Sequence, residues 1–313
     1  MEASKIEAIK AALESSDLKA LDAMAKPNSR VINRKNGFRS ALMLSAHNLK
    51  HMLKIEELEA ECVMLNLEDG VSPEQKPFAL AMTAIFLSEL HECGKKLVVR
   101  VNPLDEGGFD EIAYLNQFRP DAIRIPKVYS VSDVSRALKL LDDDIELHLS
   151  IETKEAWDNL SKLAIHKRVT TFYLGVLDLF ASMRLPQSLI SPENPTMLYM
   201  LSHFLVTTKS VGVKPVSFVY QDYRNMEMFN TWLQLEKSMG YTAKGCIAPA
   251  QVSAVHEVFK DEVAELERAR VIVKLFEMNR DLGITGFVDE EYGFIDEPIY
   301  KGALAVLEEA EGR

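Results

Sequence analysis

The sequence predicts an α/β fold, a (β/α)8 TIM barrel with an N-terminal helical extension and a small C-terminal helical and β appendage. Three observations predict it. From Arg39 onward, short runs rich in Val, Ile and Leu alternate with longer amphipathic stretches, as parallel strands joined by crossover helices do. The runs number eight within a region close to the usual barrel length. No Gly-x-Gly-x-x-Gly follows the first run, which weakens a dinucleotide-binding open sheet.

The expected strands, in order, are Arg39 to Leu44, Cys62 to Leu67, Leu97 to Asn102, Ala122 to Lys127, Ile145 to Ile151, Thr171 to Gly175, Pro215 to Tyr220 and Lys244 to Ala248. Helical patterns intervene at His47 to Glu59, Pro77 to Cys93, Ser130 to Leu141, Lys154 to His166, Asn194 to Ser210, Met226 to Met239 and Pro249 to Phe259. The link around Gly107 to Phe118 carries a weaker helical pattern. A charged helix is expected over Asp261 to Asp281, then two short Gly-containing segments, Ile284 to Asp289 and Tyr292 to Asp296, and a last helix, Pro298 to Glu311. The domain reading is therefore a helical extension over 1–37, a barrel over 38–260 and an appendage over 261–313.

With 313 residues and 47% hydrophobic content, the chain can bury a large core. A net charge of −11 disfavours general nucleic-acid binding, which needs clustered Lys and Arg over a whole face. The three cysteines, Cys62, Cys93 and Cys246, lack metal-binding spacing and read as reduced core thiols. The stretch Met1 to Leu18 has no signal-peptide run, and no later segment has the uncharged length of a membrane span, so a cytoplasmic protein is expected.

Charges collect where the apolar runs end. Glu68 and Asp69 follow the second run, Arg100 the third, Lys127 the fourth, Glu152 the fifth and Asp178 the sixth. Charges at one end of a buried sheet usually mean chemistry. Glu152 and Asp178 suit two carboxylate ligands of Mg2+, with waters and substrate oxygens completing the shell. The plainer reading is that each caps the helix after its strand. Arg100, in Val98-Val99-Arg100-Val101-Asn102, must meet an anion, either Glu68 or a substrate carboxylate, because an unpaired guanidinium in an apolar strand is costly. Arg39 could share that substrate contact or be a surface residue at a strand start. Lys127 could be a Schiff-base lysine. More often such a lysine pairs with carboxylates, and acids around it should keep its pKa high.

At these residues the chain resembles the citrate lyase beta-subunit family, part of the broader HpcH/HpaI aldolase group that also contains malyl-CoA and citramalyl-CoA lyases. The matching pieces run almost end to end: Arg39-Ser40, Leu67-Glu68-Asp69, Arg100-Val101-Asn102, Pro126-Lys127-Val128, Ile151-Glu152-Thr153, Gly175-x-x-Asp178-Leu179, Lys244-Gly245-x-Ile247-x-Pro249-x-Gln251 and Ile295-Asp296-x-Pro298. The resemblance implies a Mg2+-containing barrel that makes or breaks a carbon–carbon bond beside a CoA thioester carbonyl, and a homo-oligomer, trimer or hexamer. It places Glu152 and Asp178 as metal ligands and Arg100 as the arginine that holds the 2-oxo acid. Asp296 falls on a carboxylate that, in related lyases, reaches a neighbouring subunit's active site.

Three residues depart from the family pattern: Ala248 where histidine is usual, Ser217 where aspartate is common, and Asn66 in place of the first acid of Asp-Leu-Glu-Asp. They leave the metal set intact and put the substrate's identity in question. The expected activity is a Mg2+-dependent acyl-CoA lyase, with Arg100, Glu68 and Asp296 catalytic, and Arg39, Arg100 and Lys127 contacting substrate. Because CoA carries phosphates, the cluster of Arg30, Arg34, Lys35 and Arg39, with Lys50, His51 and Lys54 beyond the first strand, is the expected phosphate contact, centred on Arg34 and Lys35. The competing readings are a metal-dependent aldolase on free 2-oxo acids and a subunit that works only with an acyl-carrier protein.

Overall fold

Eight parallel strands lie side by side in the order β7-β6-β5-β4-β3-β2-β1-β8. They are β1 Ser40–Ser45, β2 Cys62–Asn66, β3 Lys96–Arg100, β4 Ala122–Ile125, β5 Glu146–Ile151, β6 Val169–Leu174, β7 Lys214–Val216 and β8 Lys244–Cys246. The computed structural model describes residues 1–35, 37–260 and 263–311. A parallel bridge between Ser217 and Lys244 joins the two ends of the order, and the Gly245 N–H donates to the Ser217 carbonyl at 3.1 Å. The sheet thus curls into a nearly closed barrel, as the sequence predicts. Closure needs Gly245, since a Cβ there would stand 2.7 Å from Val219 Cγ2. Val63, Leu97, Val98, Ile123 and Leu147 are fully buried, because inner and outer faces are both covered and the strands therefore read as continuous apolar runs.

The helices are α1 Ala3–Glu14, α2 Leu18–Asp22, α3 Leu49–Met52, α4 Lys76–Glu89, α5 Gly108–Asn116, α6 Val131–Leu140, α7 Lys154–Asp158, α8 Val176–Ser182, α9 Pro195–Ser210, α10 Met226–Met239, α11 Pro249–Val258, α12 Val263–Arg280 and α13 Glu297–Glu311. Two expected helices are broken. His47 to Glu59 splits into α3 and a 3-10 turn over Ile55–Glu57, and Lys154 to His166 into α7 and a 3-10 turn over Leu160–Lys162. In both, buried residues three apart, Met52 with Ile55 and Leu160 with Leu163, suit a three-residue turn. Helix α8 follows β6 directly, in a stretch the periodicity did not mark as helical.

Two compact units share the chain, one of Met1–Arg34 with Arg39–Val258 and one of Lys35–Phe38 with Phe259–Arg313. In the first, α1 and α2 pack on α4 through Ile9, Ala12, Leu21, Ala81 and Ile85. Arg30 then grips Asp121 at 2.8 and 2.6 Å, both side chains being buried. In the second, a hairpin of β9 Gly286–Asp289 and β10 Gly293–Asp296 accompanies α12 and α13, around Ala269, Ile272, Phe276, Ile295 and Ala303. The expected start of the charged helix, Asp261, lies outside the described residues, as do 262, 312 and 313 of the expected appendage. No described helix is long and apolar enough to cross a membrane.

Candidate active site

Parallel strands deliver their last residues to one end of the barrel, and there five of the expected side chains meet. Arg100 closes β3 and Glu152 follows β5; both are buried. Glu68 lies two residues beyond β2, in a turn shaped by Asn66, whose amide donates to the Asp69 carbonyl and accepts from the Glu68 N–H at 3.3 Å. The Asn66 departure therefore serves the turn that presents both acids. The guanidinium of Arg100 touches Glu68 and stands 3.6 Å from Asp69 and 3.7 Å from Glu152. The Lys127 ammonium is 3.3 Å from Glu68.

Lys127 also contributes its backbone. Its φ of 47° puts it in the left-handed region, an uncommon conformation for a residue with a side chain, and its N–H donates to Glu152 Oε1 at 2.7 Å. Thr153 caps α7, accepting from the Ala156 N–H at 3.1 Å. The capping role the sequence left open for Glu152 thus falls to its neighbour. Asp178 is exposed in the first turn of α8. It shares a cavity of about 280 Å³ with Asn66, Asp69, Arg100, Arg124 and Glu152.

Burial pushes the Glu68 carboxyl above its ordinary value, against the opposing charge of Arg100 and with reinforcement from Asp69 and Glu152. For Lys127 burial pulls the other way, but the charge of Glu68 outweighs it and holds the ammonium above its usual range. A lysine kept protonated is a poor amine nucleophile, so the ion-paired reading of Lys127 is the one the geometry supports. Both carboxylate oxygens of Glu68 and Nε of Arg100 are buried without a well-aligned hydrogen bond, which leaves them polar capacity for a ligand.

The donor set fits a hard divalent cation. Around the cavity the carboxylates of Glu68, Asp69, Glu152 and Asp178 outnumber the cations Arg100, Arg124 and Lys127, so added positive charge would be favourable. Among the described residues no three His, Cys, Asp or Glu side chains are grouped to hold a metal. A cation at Glu152 and Asp178 would take the rest of its shell from water and ligand oxygens, as Mg2+ readily does.

Other expected residues lie elsewhere. Arg39 precedes β1, at the opposite end of the strands, and bonds Glu61 at 3.0 and 2.5 Å. Arg34 pairs with Asp144 at 2.5 Å, ahead of β5, whereas Lys50 and His51 follow β1, so the expected cationic cluster is not assembled. Lys35 belongs to the second unit. So does Asp296, whose carboxylate accepts from the Ile299 N–H at 3.1 Å and caps α13. Ser217 donates to buried Glu236 at 2.6 Å. Arg124 was overlooked, although a charged residue inside the apolar run Ala122-Ile123-Arg124-Ile125 is the signal that marked Arg100.

Residues 39–249 match the HpcH/HpaI aldolase/citrate lyase family. A (3S)-malyl-CoA thioesterase of Cereibacter sphaeroides is 29% identical over 77% of this chain and 83% of its own length. A citrate lyase subunit beta of Haemophilus influenzae is 26% identical, over 87% of this chain and 97% of its own. Among solved structures, the citrate lyase beta subunit of M. tuberculosis in complex with oxaloacetate and magnesium superimposes with a TM-score of 0.63, at 19% identity, covering 72% of this chain and 99% of that one.

Proposed function

Because the chain belongs to the HpcH/HpaI aldolase/citrate lyase family, we propose that it is a Mg2+-dependent carbon–carbon lyase that cleaves, or forms, a 3-hydroxyacyl-CoA thioester of the citryl, malyl or citramalyl type. The products are a 2-oxo acid and an acyl-CoA. The observation that carries this reading is that Arg100, Glu152 and Asp178 line one cavity at the strand ends. Relatives named citrate lyase subunit beta and a neighbour solved with oxaloacetate and magnesium support it.

Glu152 and Asp178 would hold the cation, which when bound supplies a Lewis acid for the substrate's hydroxyl and carboxylate oxygens. Arg100 grips the carboxylate of the 2-oxo acid portion and offsets charge that develops on it. Glu68 fixes the Arg100 guanidinium, and Lys127 stays a cation beside them. The hydroxyl gives up its proton to water in the cavity and becomes the carbonyl of the 2-oxo acid, while the carbon–carbon bond breaks and its electron pair passes to the acyl-CoA fragment as the thioester enolate. Asp296, from a neighbouring chain, returns a proton to that carbon, and in condensation removes it. Arg34 pairs with Asp144 at the strand starts, away from the cavity, and Lys35 belongs to the other compact unit, so the CoA phosphates are not assigned to these two residues.

The relative named (3S)-malyl-CoA thioesterase favours a second reading, hydrolysis of the thioester without carbon–carbon cleavage. Incubating the purified chain with Mg2+ and a panel of 3-hydroxyacyl-CoA esters and free hydroxy-oxo acids, with and without EDTA, separates these readings. EDTA-sensitive release of a 2-oxo acid from a CoA ester is the expected result. Free CoA without a 2-oxo acid would establish the thioesterase, and cleavage of free acids alone would establish an aldolase. Silence until an acyl-carrier protein is added would establish a carrier-dependent subunit.

A further inference from the structure

Arg124 and Arg100 are register partners on β4 and β3, so their side chains set out from the same height inside the barrel, about 4.8 Å apart as neighbouring strands are. Like charges placed side by side in a sheet are destabilising. Arg100 is matched by Glu68, Asp69 and Glu152. Arg124 has no such match. Its Nε donates to the neutral Ser150 hydroxyl at 2.8 Å, and its Nη1 reaches only the Met64 sulfur at 3.2 Å. The guanidinium lies 4.2 Å from the centre of the Tyr173 ring. Among the described residues its Nη2 has no hydrogen-bond partner and no carboxylate stands within ion-pair distance of it, although the side chain is only 6% exposed and lines the cavity.

A buried guanidinium held in place by neutral groups is costly without an anion. Burial, then the charge of Arg100, lower the Arg124 pKa only to about 10, so the group stays charged at neutral pH. A purely structural arginine would end on a carboxylate, as Arg30 does on Asp121. Arg124 instead ends at the cavity. We propose that Arg124 is a second anion-binding residue of this site, which selects a ligand bearing two carboxylates, one for each arginine, over its monocarboxylate counterpart. The substrate's 2-oxo acid portion is then a short dicarboxylate, an inference that rests on Arg100 being the 2-oxo acid contact.

The test is calorimetric titration of the full chain at fixed free Mg2+ with two matched pairs, oxaloacetate against pyruvate and malonate against acetate. Each diacid is expected to bind at least tenfold more tightly than its monoacid, and Arg124→Met to bring that ratio close to one. Equal affinities within both pairs in the unmodified protein, or an unchanged ratio in Arg124→Met, would overturn the inference and leave the lyase reading standing. Binding of none of the four acids would overturn both. Should Arg124→Met fail to fold, Arg124→Lys decides: the ratio falls if the guanidinium fork grips the second carboxylate, and is unchanged if Arg124 plays no part.

Discussion

Gly175 decides where the Glu152 carboxylate can stand. A Cβ at this position would lie 2.6 Å from Glu152 Cβ and 2.7 Å from its Oε2, distances that force one of the two to move. Because Lys127 holds the other oxygen, the displacement falls on Oε2, the oxygen 3.7 Å from Arg100. Gly175→Ala is therefore expected to lower kcat/KM by about 100-fold, since misplacing a reacting group by an ångström costs on that order, and to raise the Mg2+ concentration giving half activity. Gly94→Ala, in open space with nothing within 4 Å, should change neither. Steady-state kinetics across a Mg2+ series, with thermal unfolding as a check on folding, reads both variants. Much of this site is legible in sequence for a topological reason: parallel strands send all their ends to one rim, so Glu152, Asp178 and Arg100 declare themselves by following apolar runs. The same rule explains why Arg39 lies apart, because a residue that opens a strand belongs to the opposite rim. Arg124 stands at the register height of Arg100, but its run goes on to Lys127, and that terminal charge stood for the whole strand.

Strand β5 shows what one element contributes. Its alternate residues Glu146, His148 and Ser150, continued by Glu152, share one face by the period of two, and form a polar row from the base of the barrel to the cavity. At the base Glu146 meets Lys96 at 2.9 Å, His148 at 3.3 Å and the Thr170 hydroxyl at 2.6 Å. Burial alone would raise its pKa, but the bonds and charges of His148 and Lys96, with the Thr170 hydroxyl, hold it down at about 2, against 4.5 for a free glutamate. Since the folded value is the lower one, the native state binds fewer protons. The resulting stability is present above pH 4.5 and disappears as the pH falls toward 2, an effect of about 3 kcal/mol. His148, whose buried ring has a lowered pKa, adds a loss in the same direction as it is forced to protonate. Urea unfolding between pH 7 and 2 should show Glu146→Gln less stable at neutral pH and flatter below pH 4.5; a slope equal to the unmodified protein's would refute the assignment. Strands of this kind were easy to place from sequence because they are buried on both sides. The helices were harder: α3 and α7 stop after about a turn and pass into 3-10 turns, whose period of three the 3.6-residue pattern cannot separate over so few residues.

At the scale of the whole molecule the open matter is how the second compact unit takes part in the chemistry. Its hairpin pairs Phe294 with Val288, and both are largely exposed, at 59% and 77%. An apolar pair of that kind on a small unit is a natural contact for another subunit. Asp296 ends the same strand, so a subunit seated on the hairpin would have this carboxylate brought to it. If the proton donor comes from a neighbour in a closed oligomer, the two halves of each active site belong to different chains and can be damaged separately. Asp296→Asn keeps a sound barrel and loses the acid, and Glu152→Ala keeps the acid and loses the barrel site; each alone is expected to be nearly inactive. Co-expressed in equal amounts and purified as mixed oligomers, they should recover about a quarter of normal activity, because random mixing in a closed ring pairs an intact barrel with an intact tail at one site in about four. If Asp296 serves its own barrel, no mixture can unite the two intact halves, and the mixed oligomers will stay as inactive as their parents. Full activity of Asp296→Asn alone would remove the residue from the mechanism.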